Sequence, residues 1–194
     1  MAFSPAFGGR KPPIYQDSQE QNVHFSAFLK CNVRNDNDLK LYLETTMFNY
    51  FFDTERDGHA DTVKLFETIG RGEYEGYTSE YVTYELQKAD EPKRSKMMEL
   101  IDKYSIHVLE VNEETDRLAN VYVKEGIIPA KYVLDSAHIS VATVNGLDCV
   151  LSFNFQHINK LKTKEMTALV NARERYRGII ICTPMEVLEN EETE

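Results

Sequence analysis

The amino-acid sequence predicts an α/β protein, a three-layer α/β/α sandwich with a mainly parallel central sheet. Two observations carry this expectation. From Leu39 onward, short apolar runs alternate with longer segments whose apolar residues recur at helical spacing, and strands separated by helices pair in parallel with helices on both faces. Proline, glycine and hydroxyl residues stand where those segments change character, as helix starts and stops require.

The elements follow in order. Leu39 to Leu43 reads as the first strand, and Phe48-Asn49-Tyr50-Phe51-Phe52 lies on the next helix. Val63, Phe66 and Ile69 share a face of a helix from Ala60 to Ile69, which Gly70 and Gly72 close. Tyr74 to Tyr77 reads as a strand, Ser79 as the cap of a helix to about Ala89, and Pro92 as the lead into another helix. Ile106 to Val111 is the next strand. Glu113 to Glu125 is helical and stops at Gly126, and Pro129 opens a helix to about Asn145. Asp148 to Phe153 reads as a strand, Glu165 to Tyr176 as a helix and Gly178 to Cys182 as the last strand. Thr183-Pro184-Met185-Glu186 has the form of a capping box with proline at the first helical position, so a terminal helix follows.

Residues Met1 to Asp38 have a different character, with Gly8, Gly9, Pro12 and Pro13 followed by a polar stretch that ends in Asn35-Asp36-Asn37-Asp38. Only Val23 to Leu29 has a sustained apolar pattern. The segment 1–38 reads as an extension, partly disordered or acting as a docking arm, ahead of a domain spanning 39–194.

Composition narrows the function. A chain of 194 residues that is 42% hydrophobic and 28% charged has the balance of one soluble globular domain. No run approaches the roughly 18 apolar residues of a membrane helix and no secretory signal is evident, so a cytoplasmic protein without a membrane partner is expected. Three cysteines, Cys31, Cys149 and Cys182, lie far apart without a CxxC, which excludes a disulfide scaffold or zinc ribbon, and two of them fall in apolar strands as buried structural thiols. Lys+Arg 22 against Asp+Glu 32 gives 22 − 32 = −10. That sign excludes broad, nonspecific clamping of a phosphate backbone. It leaves room for a nuclease, because an enzyme that gathers carboxylates around a divalent metal is acidic until the metal arrives.

Four positions stand out. In open α/β sheets ligands bind beyond the carboxyl ends of the strands, and Glu44 directly follows the first strand while Asn154 closes Cys149-Val150-Leu151-Ser152-Phe153. Glu85 lies roughly 60° from Val82 and about 40° from Ala89 at about 100° per residue, inside the apolar stripe of its helix. Asp135, Ile139 and Ala142 share an inward helix face. Each has a plainer alternative: a solvated strand-end acid or a first-turn acid favoured by the following helix dipole for Glu44, a stripe-edge residue reaching water for Glu85, an N-cap for Asp135 and a turn residue for Asn154. His157 reads as a surface or capping histidine. Together the four groups make an oxygen-rich set suited to Mg²⁺ or Mn²⁺ rather than zinc. Asp148 begins its strand and is excluded as lying at the opposite edge.

These segments resemble PIN domains. Leu41-Tyr42-Leu43-Glu44-Thr45-Thr46-Met47-Phe48-Asn49-Tyr50 is similar to their opening strand and helix, and Tyr77 to Leu86 to the segment carrying the second acid. Ile128 to Ile139 resembles the third-acid helix, and Asp148 to Ile158 the last active-site strand. The resemblance spans about Leu39 to Glu189. It implies a PIN-like fold and a Mg²⁺- or Mn²⁺-dependent ribonuclease of the kind used by VapC-type toxins of toxin-antitoxin pairs. Glu44, Glu85 and Asp135 then take the three acidic, metal-binding places and Asn154 the fourth catalytic one, with Thr45 and Ser152 supporting through their hydroxyls. Two departures matter: the first acid of the family is usually Asp, and the fourth is often Asp.

The implied partners are an RNA substrate, an antitoxin lying near Phe48, Tyr50 and Phe51, and a second copy in a homodimer. Lys88, Lys93, Arg94 and Lys96 form one candidate basic patch and Lys160, Lys162 and Lys164 another, while Tyr81, Tyr84, Phe153 and Phe155 are candidate stacking residues or core. The altered acid set also allows a noncatalytic PIN-like interaction module. A flavodoxin-like or response-regulator domain shares the alternating order but needs a phosphate-binding loop that is not evident.

Overall fold

The computed structural model describes residues 39–188. The extension assigned to 1–38, with Val23 to Leu29 and Cys31, lies outside the described residues. Strand β1 (Lys40–Leu43) pairs in parallel with β2 (Glu75–Ser79) on one side and with β4 (Cys149–Leu151) on the other. Strand β3 (His107–Leu109) adds beyond β2, and β5 (Ile180–Cys182) beyond β4, so the five-stranded sheet has the order β3-β2-β1-β4-β5. Among the described residues every pairing is parallel, where the sequence predicts a mainly parallel sheet. Leu41, Tyr42 and Leu43 are all buried in succession, as a strand covered on both faces requires.

The chain steps outward from β1 in two directions, and right-handed crossovers turn those directions into opposite faces. Helices α1 (Thr45–Phe52), α2 (His59–Gly70), α3 (Glu80–Leu86) and α4 (Lys93–Lys103) serve the steps from β1 to β3. Helices α5 (Glu113–Lys124), α6 (Val133–Val144) and α7 (Leu161–Arg173) serve the return to β4 and β5 on the other face. Phe48, Phe51, Phe66 and Tyr104 meet edge to face in the first layer, with Phe51 and Phe66 centroids 5.1 Å apart. On the second face Leu118, Tyr122 and Ile139 are buried. Cys149 and Cys182 are both buried and free of disulfides.

Several boundaries differ from the sequence expectation for local reasons. Pro129 does not open α6; it precedes a separate 3₁₀ turn, Ala130–Tyr132, and the α-helix begins at Val133. Helix α7 starts at Leu161, four residues before Glu165, because Lys160 supplies the extended entry. Helix α3 ends at Leu86 rather than Ala89. Ser79 occupies the N-cap position of α3 without a side-chain capping bond, its hydroxyl instead lying 2.7 Å from the Tyr42 hydroxyl. At α8 (Pro184–Leu188), Glu186 accepts from both the Thr183 backbone and its hydroxyl, which is half of a capping box.

The strand order reverses between β1 and β4, and the crevice outside their carboxyl ends is where such sheets bind ligands. The flavodoxin and response-regulator order, β2-β1-β3-β4-β5, places that point elsewhere. The observed order is a different topology.

Candidate functional site

Glu44 follows β1 at the reversal point, and its backbone N–H continues the ladder to the Leu151 carbonyl at 3.3 Å. The solvated alternative for this acid is wrong: Glu44 is 4% exposed. Its Oε2 accepts from the hydroxyls of Thr46 at 2.6 Å and Ser152 at 2.9 Å. Burial pushes the Glu44 carboxyl above its ordinary range, against the opposing pull of the His138 charge and of those hydroxyls.

Glu85 reaches the same crevice from α3 with a side chain that is 24% exposed. Its Oε2 accepts from the Thr45 hydroxyl and from His138 Nε2, the latter at 3.2 Å. Burial raises this carboxyl as well, but the His138 bond, the His138 charge and the Thr45 bond outweigh it and hold Glu85 below the ordinary range.

Asp135 stands in the first turn of α6, three residues past Tyr132, which is the N-cap, so the capping alternative for Asp135 does not apply. Burial raises its carboxyl, opposed by the charges of His138 and His157 and by the neighbouring polar side chain of Asn154. Asn154 lies beyond β4, where its Oδ1 accepts the His157 N–H at 3.1 Å and its own N–H donates to Ser152 Oγ at 2.9 Å. The turn role is thus observed, and the same side chain influences the Asp135 carboxyl. Asp148 sits at the far edge, accepting from the Lys40 N–H at 3.0 Å and pairing with Arg177 at 2.7 Å.

The structure brings the four residues to one crevice, and it adds one that sequence reasoning missed. His138 is 1% exposed and interacts electrostatically with Glu44, Glu85 and Asp135, which together with the Glu85 bond lift its pKa against the lowering effect of burial. Its signal in the sequence is the spacing from Asp135 to His138, one helical turn on the same face. His157, which the sequence presents as a surface or capping histidine, stacks on Tyr132 with ring centroids 3.9 Å apart, and its buried Nε2 has no hydrogen-bond partner among the described residues.

The donor chemistry suits a hard divalent cation, since all four groups offer oxygen. Among the described residues, no three His, Cys, Asp or Glu side chains are arranged to hold a metal ion together. That still fits Mg²⁺, which keeps several waters and is commonly held by one or two carboxylates.

Around the crevice Phe153 stacks on Tyr50 at 3.9 Å and 9°, with the Arg56 guanidinium over Tyr50 at 4.8 Å. Phe155 and Tyr84 are 59% and 55% exposed and so are surface rather than core. The two lysine-rich patches are partly engaged: Arg94 pairs with Glu91, Lys164 with Glu186, and Lys88 lies over the Tyr84 ring. No helix among the described residues is long and apolar enough to cross a membrane.

No family model matches this chain, and no curated protein matches it. Among solved structures it is similar to a chain in a crystal structure of VapBC2 from Rickettsia felis bound to a DNA fragment from their promoter. The identity is 13%, the match covers 74% of this chain and 97% of that one, and the TM-score is 0.46.

Proposed function

We propose that this protein is a metal-dependent endoribonuclease that hydrolyses RNA phosphodiester bonds in the crevice beyond β1 and β4. The observation that carries the reading is the convergence of Glu44, Glu85, Asp135 and Asn154, from four separate parts of the chain, at the point where the strand order reverses. Carboxylates partly or fully removed from water are costly unless something offsets their charge, so their gathering points to a cationic ligand.

Asp135 and Glu44 are the residues to hold Mg²⁺ or Mn²⁺, with Glu85 as a further ligand or water-mediated contact. Such an ion, when bound, lowers the pKa of a water and neutralises charge on the leaving oxygen of the phosphodiester. The chain's own groups do the rest. Thr46 and Ser152 fix the Glu44 carboxylate by two hydroxyl bonds, and Asn154, tied into its loop by the His157 N–H, helps hold the Asp135 carboxyl down. Exposed Phe155 beside Asn154 offers a face on which an unpaired base can stack.

The direct test incubates the purified protein with single-stranded RNA and Mn²⁺, Mg²⁺ or EDTA, beside Asp135→Asn. Cleavage requiring the metal and falling by about 100-fold or more in the variant, with an unchanged circular dichroism spectrum, supports the reading. A variant as active as the parent removes Asp135 from the mechanism. A toxin role, an antitoxin partner and a homodimer belong to this proposal on the resemblance to PIN domains, and co-purification and light scattering test them.

A specific observation favours a second reading, a noncatalytic PIN-like interaction module: Glu85 already has a nitrogen partner in His138, and the fourth position is a neutral Asn. Calorimetric titration separates the two, since no heat at millimolar Mg²⁺ or Mn²⁺ supports the module.

A further inference from the structure

We infer that His138 is a positioning residue, holding the Glu85 carboxylate in the crevice at the end of a buried chain that begins at Ser79 and passes through Tyr42. Its functional meaning rests on the nuclease reading, but the chain of contacts stands independently of it.

A buried imidazole needs a partner on each nitrogen. His138 has both, with Tyr42 Oη at 2.9 Å from Nδ1 and Glu85 Oε2 at 3.2 Å from Nε2. Tyr42 is wholly buried on β1, the central strand, and its hydroxyl also meets Ser79 Oγ at 2.7 Å on β2. The ring is thus oriented from two strands of the sheet, and its rigidity is that of the core. A carboxylate has no hydrogen to give, so Nε2 carries the shared one in either protonation state of the ring. Thr45, from α1, donates to the same Oε2. Two donors from opposite faces of the sheet therefore tie down one oxygen of a side chain that still reaches solvent.

A packing role alone would call for an apolar residue at this position on α6. An imidazole there, bonded at both ends, leaves Glu85 one orientation instead of several rotamers, which is what a ligand or water-orienting group requires.

The experiment uses full-length protein, as parent, Tyr42→Phe and His138→Gln, each with and without Glu85→Gln. Metal-free nitrogen-15 NMR follows the His138 Nε2–H signal, and calorimetry measures the Mn²⁺ Kd. We expect a slowly exchanging Nε2–H that shifts on Glu85→Gln and exchanges faster in Tyr42→Phe. The Mn²⁺ Kd should rise about tenfold in Tyr42→Phe. It should return to the parental value in His138→Gln, which keeps a donor for Glu85, and Tyr42→Phe should have no further effect once Glu85 is Gln. An Nε2–H signal indifferent to Glu85→Gln, or a Tyr42→Phe effect of equal size with and without the Glu85 carboxylate, overturns the positioning role. A parent that binds no Mn²⁺ while the Nε2–H signal responds to Glu85→Gln supports the positioning role and overturns the nuclease reading instead.

Discussion

Ser152 Oγ donates to Glu44 Oε2 at 2.9 Å across 108 residues of sequence and accepts the Asn154 N–H at the same distance. One buried hydroxyl thus couples the ends of β1 and β4 and sets the start of the Asn154 loop. Ser152→Ala removes a donor from a buried carboxylate and an acceptor from a loop amide. It should destabilise the fold by about 1–2 kcal/mol at neutral pH, measured by urea denaturation. A denaturation midpoint equal to the parent's would show that this hydroxyl contributes nothing net.

Glu44 gives the pH dependence a sign. Its folded pKa is raised by burial, so its contribution to stability is fully present below the unfolded carboxyl value, about 4.3, and is lost as pH rises through the folded value. Glu44→Gln removes that loss while keeping an oxygen for Thr46 and Ser152. The variant should melt above the parent at pH 7, by about 2–4 °C for each kcal/mol recovered, and the difference should shrink toward pH 4. The same variant should lose cleavage, the exchange of stability for function that charged sites impose.

The layers and the site differ in how far the sequence disclosed them. Strand β1 was legible because Leu41, Tyr42 and Leu43 are buried together, and a doubly covered strand writes itself as an apolar run. Glu85 was legible because a charge interrupts an apolar stripe. His138 was not, because a histidine within a buried helix face shows its meaning only through Tyr42 and Glu85, residues 96 and 53 positions away. The break between the 3₁₀ turn and α6 was hidden for a similar reason: Pro129 and the apolar pattern after it suit either helix type.

Gly58 connects a backbone constraint to the crevice. It precedes α2 at φ +91°, and a Cβ there would lie 2.6 Å from the Phe153 ring, which is stacked on Tyr50 one residue before Asn154. Gly58→Ala combines left-handed strain with displacement of that ring. We expect a loss of more than about 1 kcal/mol in stability, with cleavage reduced further than Tm alone explains, measured by melting and by rate at a temperature where both proteins are folded.

Asn154→Asp tests the neutral fourth position most directly. The aspartate keeps an oxygen for the His157 N–H, now 3.1 Å away, but puts a second negative charge where the neutral Asn154 side chain helps hold the Asp135 carboxyl down. Like charges so placed raise each other's pKa and destabilise the metal-free fold at neutral pH, and acidification should relieve that cost by neutralising one of them. A divalent cation reverses the balance, because it binds the doubly charged pair more tightly than the parental site and stabilises the folded state by its own binding free energy. The variant should therefore melt below the parent in EDTA and gain more from millimolar Mn²⁺ than the parent does. Equal Mn²⁺ gains in both proteins, measured by melting over a metal titration, would separate Asn154 from the metal and leave it as a loop residue.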